Sequence, residues 1–284
     1  MNPLETPNLM NVKGRVALVT GGSSGIGRMI AQGLVSNGAK VYIVALPSDP
    51  IAETVAELNA AGPGSAEGYP CDLTSKSSIA ALAQTITTLE PHLDILISNA
   101  GIRRDPPIAC NVLTASLPDL QASLWSSPES DWAETFQVNT TAHYFLTVAL
   151  LPLLVAAANQ PLDNGQLGRD DGRGVVLLTS SCASMHNASN VDMMSYATSK
   201  AATDHLVRLL AVKVARFGVR VLGINPGFFP SRMNPMGGKG DIFKGLVEKV
   251  PAGRAGRAED IVGVVVFLVS KAGVSGVSWF FNDG

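Results

Sequence analysis

The sequence is poor in charge and in cysteine, and it has no hydrophobic run long enough to cross a bilayer. Among 284 residues only 15% are charged, and 21 basic against 23 acidic side chains leave a formal net charge of -2. Without a basic excess there is no broad surface to neutralise a row of phosphates, so a nucleic-acid partner is not expected. Cysteine occurs only at Cys71, Cys110 and Cys182, far apart and with no histidine cluster nearby. That spacing offers neither a disulfide framework nor a metal site, and points to free thiols in a reducing, cytoplasmic setting. The longest apolar stretch, VALLPLLVAAA from Val148 to Ala158, contains Pro152 and falls short of the roughly 20 residues a membrane-spanning helix needs. It reads as a buried helix of a soluble protein. The N-terminal MNPLETPNLMNVKG lacks the basic start and apolar run of a signal peptide, so residues 1–12 are expected to form a surface arm.

What the chain does have is apolar residues, 46% of the total, arranged periodically. Runs of about five recur as VALVT (16–20), VYIVA (41–45), LDILIS (93–98), VVLLTS (175–180) and VRVLGI (219–224), with helical spacing between them; Val264–Val269 and Val277–Phe281 add a last helix and strand. Strands without polar alternation are buried on both faces, and helices between them supply right-handed crossovers. The pattern therefore predicts an α/β fold, one domain over residues 13–284 with a parallel sheet between helical layers. Two segments interrupt it. Residues 103–131 carry Pro106, Pro107 and Pro118, and residues 159–174 are rich in Gly, Asp and Asn; both read as surface insertions, the first placed to cover a site.

Two local patterns carry chemistry. TGGSSGIG, Thr20 to Gly27, follows the first buried strand and opens an amphipathic helix. There Gly21, Gly25 and Gly27 would permit a tight turn, a close approach of pyrophosphate to backbone, and close helix packing. Farther on, Tyr196 and Lys200 stand four apart in SYATSKAATDHLVRLLAVKV, which reads as one long helix, so both lie on one face. An ammonium beside the phenol is expected to lower its pKa from about 10 toward working pH and make Tyr196 a general acid or base.

The glycine spacing is TGxxxGxG. With CDLT at Asp72 and Leu73, SNAG ending in Asn99, Ala100 and Gly101, and SYATSK, all in order, the chain resembles the short-chain dehydrogenase/reductases from Lys13 to Gly284. The resemblance implies a Rossmann-type, doubly wound sheet of about seven strands and a nicotinamide dinucleotide held at Gly21, Ser23, Ser24, Gly25, Ile26 and Gly27. Asp72 and Leu73 would meet the adenine, and Asn99, Ala100 and Gly101 would continue the groove. Pro226 and Gly227 would pass the nicotinamide, with Ser231 in place of a frequent threonine. It further implies that Ser180, with Ser181 as the alternative, hydrogen-bonds a substrate carbonyl. Tyr196 would move the proton, Lys200 would hold the nicotinamide ribose, and Asn139 would hold a water that completes a proton relay. A substrate lid near 228–250 would include Phe228, Phe229, Met233 and Met236, with His186 a further candidate for the substrate wall.

The nearest pattern within the family is the 3-oxoacyl reductase branch of rhamnolipid type. The implied reaction is reduction of a ketone, or the reverse, on a lipid-like, polyketide or other secondary-metabolite intermediate. A non-redox role on such an intermediate, or a dinucleotide-binding scaffold, is the competing reading, and intact Ser180, Tyr196 and Lys200 argue against it. Family members commonly form a homodimer or homotetramer through the helices that carry the asparagine and the Tyr/Lys pair. The cofactor turns on VYIVALPSDP. An acid at the end of this strand would select NAD(H), but Ala45 and Leu46 stand there; the missing acid favours NADP(H). Ser48 would donate to a 2′-phosphate, whereas Asp49, if the proline-bent turn returns it to the site, would favour NAD(H).

Overall fold

The computed structural model describes residues 4–185, 193–234, 247, 251–271 and, for the backbone alone, 278–281. Each apolar run becomes a strand: β1 Val16–Thr20, β2 Lys40–Ala45, β4 Ile95–Ser98, β5 Val175–Thr179, β6 Arg220–Pro226 and β7 Ser278–Phe281, with β3 Ser65–Pro70 added at an edge. They form one seven-stranded sheet in the order β3-β2-β1-β4-β5-β6-β7. All six pairings are parallel.

The helices are α1 Thr6–Leu9, α2 Gly25–Ser36, α3 Ile51–Asn59, α4 Lys76–Leu89, α5 Leu117–Trp125, α6 Glu129–Phe136, α7 Ala142–Asn159, α8 Met194–Val214 and α9 Ala258–Val269. Alternation along the strands divides the core into two layers. Val16 and Leu18 of β1 face the layer of Ile79, Leu82, Leu146, Leu150, Val207 and Leu210, from α4, α7 and α8. Ala17 and Val19 face Ile30, Leu34, Leu58, Ile261 and Val265, from α2, α3 and α9. The strand order reverses between β1 and β4, so a crevice opens at their carboxyl ends, where doubly wound sheets bind ligands.

Two features differ from a plain reading of the sequence. Residues 103–131 contain α5, and Pro118 lies in its first turn rather than breaking a loop. A proline lacks only an N–H that the first helical turn leaves unpaired anyway, and Ser116 caps the helix by accepting from the Asp119 N–H. Residues 129–159 form a continuous helical run with a π-helical turn at Gln137–Thr141. By length and composition this run is apolar enough to cross a membrane, yet its Leu146, Leu150 and Leu154 are fully buried against the sheet.

Candidate active site

At the end of β1 the chain turns with Gly21 and Gly25 at φ 65° and 51°, a region that only glycine enters without strain. A Cβ on Gly27 would lie 2.2 Å from the Gly21 carbonyl oxygen and 2.6 Å from Asn99 Nδ2, so the turn closes only with glycine there. Helix α2 starts at Gly25. Ser24 caps it without a side-chain hydrogen bond, and no acidic residue occupies its first turn. Backbone donors and the positive end of the helix dipole are therefore available to an anion.

The segment after β4 is tied to this turn. The Thr20 hydroxyl oxygen accepts from the backbone N–H of Asn99 (2.9 Å) and Ala100 (3.0 Å), while Asn99 Nδ2 donates to the Thr20 carbonyl (3.0 Å). A Cβ on Gly101 would meet Asn139 Oδ1 and Lys200 Nζ, each at 3.2 Å, so this glycine lets the segment pass close to both. One cavity of about 1040 Å³ joins the glycine turn, Asp72 and Leu73, Gly101, Tyr196, Pro226 and Ser231. It exceeds the range of about 300–1,000 Å³ common for a single small ligand, and the tight glycine turn with its open helix terminus fits a dinucleotide pyrophosphate.

Tyr196 and Lys200, the pair predicted to react, line this cavity. Lys200 is 2% exposed; its ammonium donates to the Thr179 carbonyl (2.8 Å) and lies 5.8 Å from the centre of the Tyr196 ring. Burial lowers its pKa from 10.5 to about 8, although nearby Asp204 opposes the shift. Tyr196 behaves differently from expectation: removal from water pushes its pKa above 10, and this outweighs the downward pull of a Ser181 hydrogen bond and of the Arg103 charge. At neutral pH the phenol keeps its proton.

The two serines separate clearly. Ser180 continues the parity of Val176 and Leu178, whose side chains face the α8 layer, and its hydroxyl donates to the Lys200 carbonyl at 2.8 Å. Ser181 lies one residue beyond, caps the short turn Cys182–Ser184 by accepting from the Ala183 N–H (3.1 Å), and is close enough to the Tyr196 phenol to draw its pKa down. Of the two, Ser181 is the serine whose hydroxyl bears on the phenol, while Ser180, which also lines the cavity, is tied to the Lys200 carbonyl.

Asn139 falls in the π-helical turn and is fully buried. Its side chain accepts from the Ile102 N–H (2.8 Å) and donates to the Ile102 carbonyl (2.9 Å) and Ser199 Oγ (3.0 Å). Its carbonyl accepts from the Thr203 hydroxyl at 2.6 Å. Asn139 therefore joins the segment after β4 to α8, beside Lys200. One turn later His143 is buried, bonded through Nδ1 to Ser98 Oγ at 2.6 Å, and held neutral with a pKa lowered to about 3 by burial and by Lys200.

Other residues divide between site and core. Phe228 and Met233 line the cavity, whereas Phe229 is buried in the second core layer against Gly256. Met236, His186 and most of the 228–250 lid lie outside the described residues. Arg103, Arg104 and Arg232 line the cavity and escaped sequence reasoning. Arg103 directly follows the SNAG segment by two residues, a position that could have signalled it; nothing in the sequence marks Arg232. Among the described residues no group of three or more His, Cys, Asp or Glu is placed to hold a metal.

The comparisons agree with this geometry. A family profile described as short chain dehydrogenase matches residues 15–239. The rhamnolipids biosynthesis 3-oxoacyl-[acyl-carrier-protein] reductase of Pseudomonas aeruginosa is 34% identical over 264 residues, covering 93% of this chain and 92% of that protein. The solved Pseudomonas aeruginosa RhlG/NADP active-site complex superposes with a TM-score of 0.81 at 32% identity, over 100% of this chain and 99% of the other. A 7α-hydroxysteroid dehydrogenase complexed with NADH and 7-oxo glycochenodeoxycholic acid gives the same TM-score at 26% identity, over 99% and 98% of the two chains.

Proposed function

The chain belongs to the short chain dehydrogenase family, an NAD(P)-dependent oxidoreductase acting on hydroxyl and ketone groups, and we propose that it reduces a ketone on a lipid-like or polyketide-type intermediate with NADP(H). The observation that carries this reading is the gathering of Ser181, Tyr196 and buried Lys200 in the same cavity as the glycine turn. The bound dinucleotide supplies hydride; everything else falls to the chain's own groups.

Ser181 and Tyr196 hydrogen-bond the carbonyl oxygen, polarising it, and Tyr196 gives that oxygen its proton. The phenol carries its proton at neutral pH, the form from which reduction can draw it. Lys200 holds the nicotinamide ribose and returns the proton to the phenol, and Asn139 orients the wall behind it and positions the relay water. Asn99, Ala100 and Gly101 line the groove, Pro226 and Gly227 close the nicotinamide end, and Ser231, over Gly25, reaches the phosphates. The glycine turn with Ser23, Ser24 and Ile26 holds the pyrophosphate, and Asp72 and Leu73 hold the adenine.

Two observations bear on the finer parts. The similarity to the 3-oxoacyl reductase and to the NADP complex favours an acyl-type substrate and NADP(H), although the NADH-bound relative shows that this architecture accepts either cofactor. The outer faces of α7 and α8 expose Tyr144, Val148, Leu209 and Val212, which supports a homodimer or homotetramer; the proposed setting is cytoplasmic. Steady-state reduction of 3-oxoacyl thioesters of increasing chain length, set beside cyclic and sugar ketones, tests the substrate class. Rising kcat/KM with acyl length supports it, and a preference for small hydroxylated ketones overturns it.

A further inference from the structure

The end of β2 carries neither an acid nor an arginine, yet a cation reaches it from elsewhere in the chain. Arg232, six residues beyond the end of β6, donates from one nitrogen to Asp49 Oδ1 at 2.8 Å and from another to Ser24 Oγ at 2.9 Å. Asp49 is also bonded to the Ser23 hydroxyl at 3.3 Å. The guanidinium thus spans from the glycine turn to the β2–α3 turn, across the wall formed by Ala45 and Leu46.

The other cations lining the cavity are engaged differently. Lys200 lies beneath Tyr196, and Arg103 and Arg104 pair with Asp105 and Glu134 on the insertion side. Arg232 is 66% exposed, while Asp49 is 13% exposed. Among the described residues, two of the five guanidinium N–H donors are used in these bonds. The negative charge of Asp49, which would oppose a 2′-phosphate, is matched by Arg232 at hydrogen-bonding distance.

We propose that Arg232 is the residue that selects NADP(H), binding the adenosine 2′-phosphate with Ser24, while Asp49 positions its guanidinium and does not take the ribose hydroxyls. This rests on the dinucleotide reading above and goes beyond it, because the selecting charge comes from the segment after β6 rather than from the strand end. Ser231, its neighbour, packs over the turn, 3.0 Å from where a Cβ on Gly25 would stand. The adenosine end of the cofactor would therefore be contacted by the same short turn whose Met233 and Asn234 also line the cavity.

Calorimetric binding of 2′,5′-ADP and 5′-AMP, which involve no hydride transfer, tests the proposal. Wild type is expected to bind 2′,5′-ADP more tightly. Arg232→Ala should lose roughly tenfold or more toward 2′,5′-ADP, the scale of a charge-assisted hydrogen bond, and about twofold or less toward 5′-AMP. Arg232→Lys should fall between, keeping the charge without the fork. Asp49→Asn should leave 5′-AMP affinity within about twofold, since no hydrogen bond to that ligand is removed. Equal losses for both nucleotides in Arg232→Ala, or a selective loss of 5′-AMP in Asp49→Asn, overturns the assignment. If wild type binds neither nucleotide, the dinucleotide reading itself fails; if it binds both without preference, only this inference does.

Discussion

Replacing each of two adjacent serines by alanine separates the chemistry from its scaffold. The Ser181 hydroxyl lies close enough to Tyr196 to draw the phenol pKa down, so Ser181→Ala is expected to remove one of the two donors proposed to meet the carbonyl oxygen. Loss of one such donor costs about 10²–10³ in kcat. The same change removes a cap of the Cys182–Ser184 turn, worth about 0.5–2 kcal/mol of stability. Ser180→Ala deletes a hydrogen bond to the Lys200 carbonyl, a neutral bond worth about 0.5–1.5 kcal/mol, equivalent to about 2–4 °C per kcal/mol in a domain of somewhat smaller size. Its kcat is expected to stay within about fivefold of wild type, because the Ser180 hydroxyl is committed to the Lys200 carbonyl. The assay is NADPH oxidation at saturating ketone, paired with thermal denaturation and the NADPH Kd of each variant. The reasoning is refuted if Ser180→Ala shows the large loss in kcat with intact folding while Ser181→Ala stays near wild type.

Three more perturbations follow from the same geometry. The Lys200 ammonium, with its pKa lowered to about 8, is charged below that pH and neutral above it, so ketone reduction should decline as pH rises through about 8; a flat kcat/KM profile from pH 6 to 10 would contradict the role. Gly27→Ala places a methyl group 2.2 Å from the Gly21 carbonyl oxygen, and should weaken NADPH binding by roughly tenfold or more with a stability loss of about 1–3 kcal/mol, read by fluorescence titration and denaturant melts. Asp94 is fully buried, accepts from the Val16 N–H (2.8 Å) and pairs with Arg173 (3.1 Å). Its pKa is lowered: desolvation opposes the shift, and hydrogen bonds from His92 and Val16 with the Arg173 charge overcome it. Its contribution is present above the ordinary carboxylate pKa and lost as pH falls through the lower folded value. Asp94→Asn should cost about 3–5 kcal/mol at pH 7 and flatten the acid limb of the stability profile; an unchanged melt would show that the pair contributes little.

Much of this architecture was legible because the relevant signals are local. Uninterrupted runs such as VALVT and VVLLT can be satisfied only by strands covered on both faces, and the glycine turn has no room for side chains. β3 was not, since SAEGYP is an edge strand, partly exposed, with no apolar run to announce it. The choice between Ser180 and Ser181 depended on where β5 stops alternating, a one-residue question that a pattern of apolar residues does not resolve. The Tyr196 pKa departs from the expectation for a related reason: spacing places an ammonium near the phenol, but does not give the desolvation that outweighs it. Arg232 is the clearest case of information that only the tertiary structure holds, for its partners Asp49 and Ser24 are separated from it by most of the chain.

The central claim is that Tyr196 protonates a ketone beside bound NADPH. Single-turnover oxidation of NADPH with a panel of ketones, comparing wild type with Tyr196→Phe, tests it most directly. The account predicts consumption by wild type with at least one ketone, and a fall of about 10²–10⁴ in the variant with NADPH affinity unchanged. Failure of wild type to consume cofactor with any carbonyl, or an unimpaired Tyr196→Phe, would contradict it.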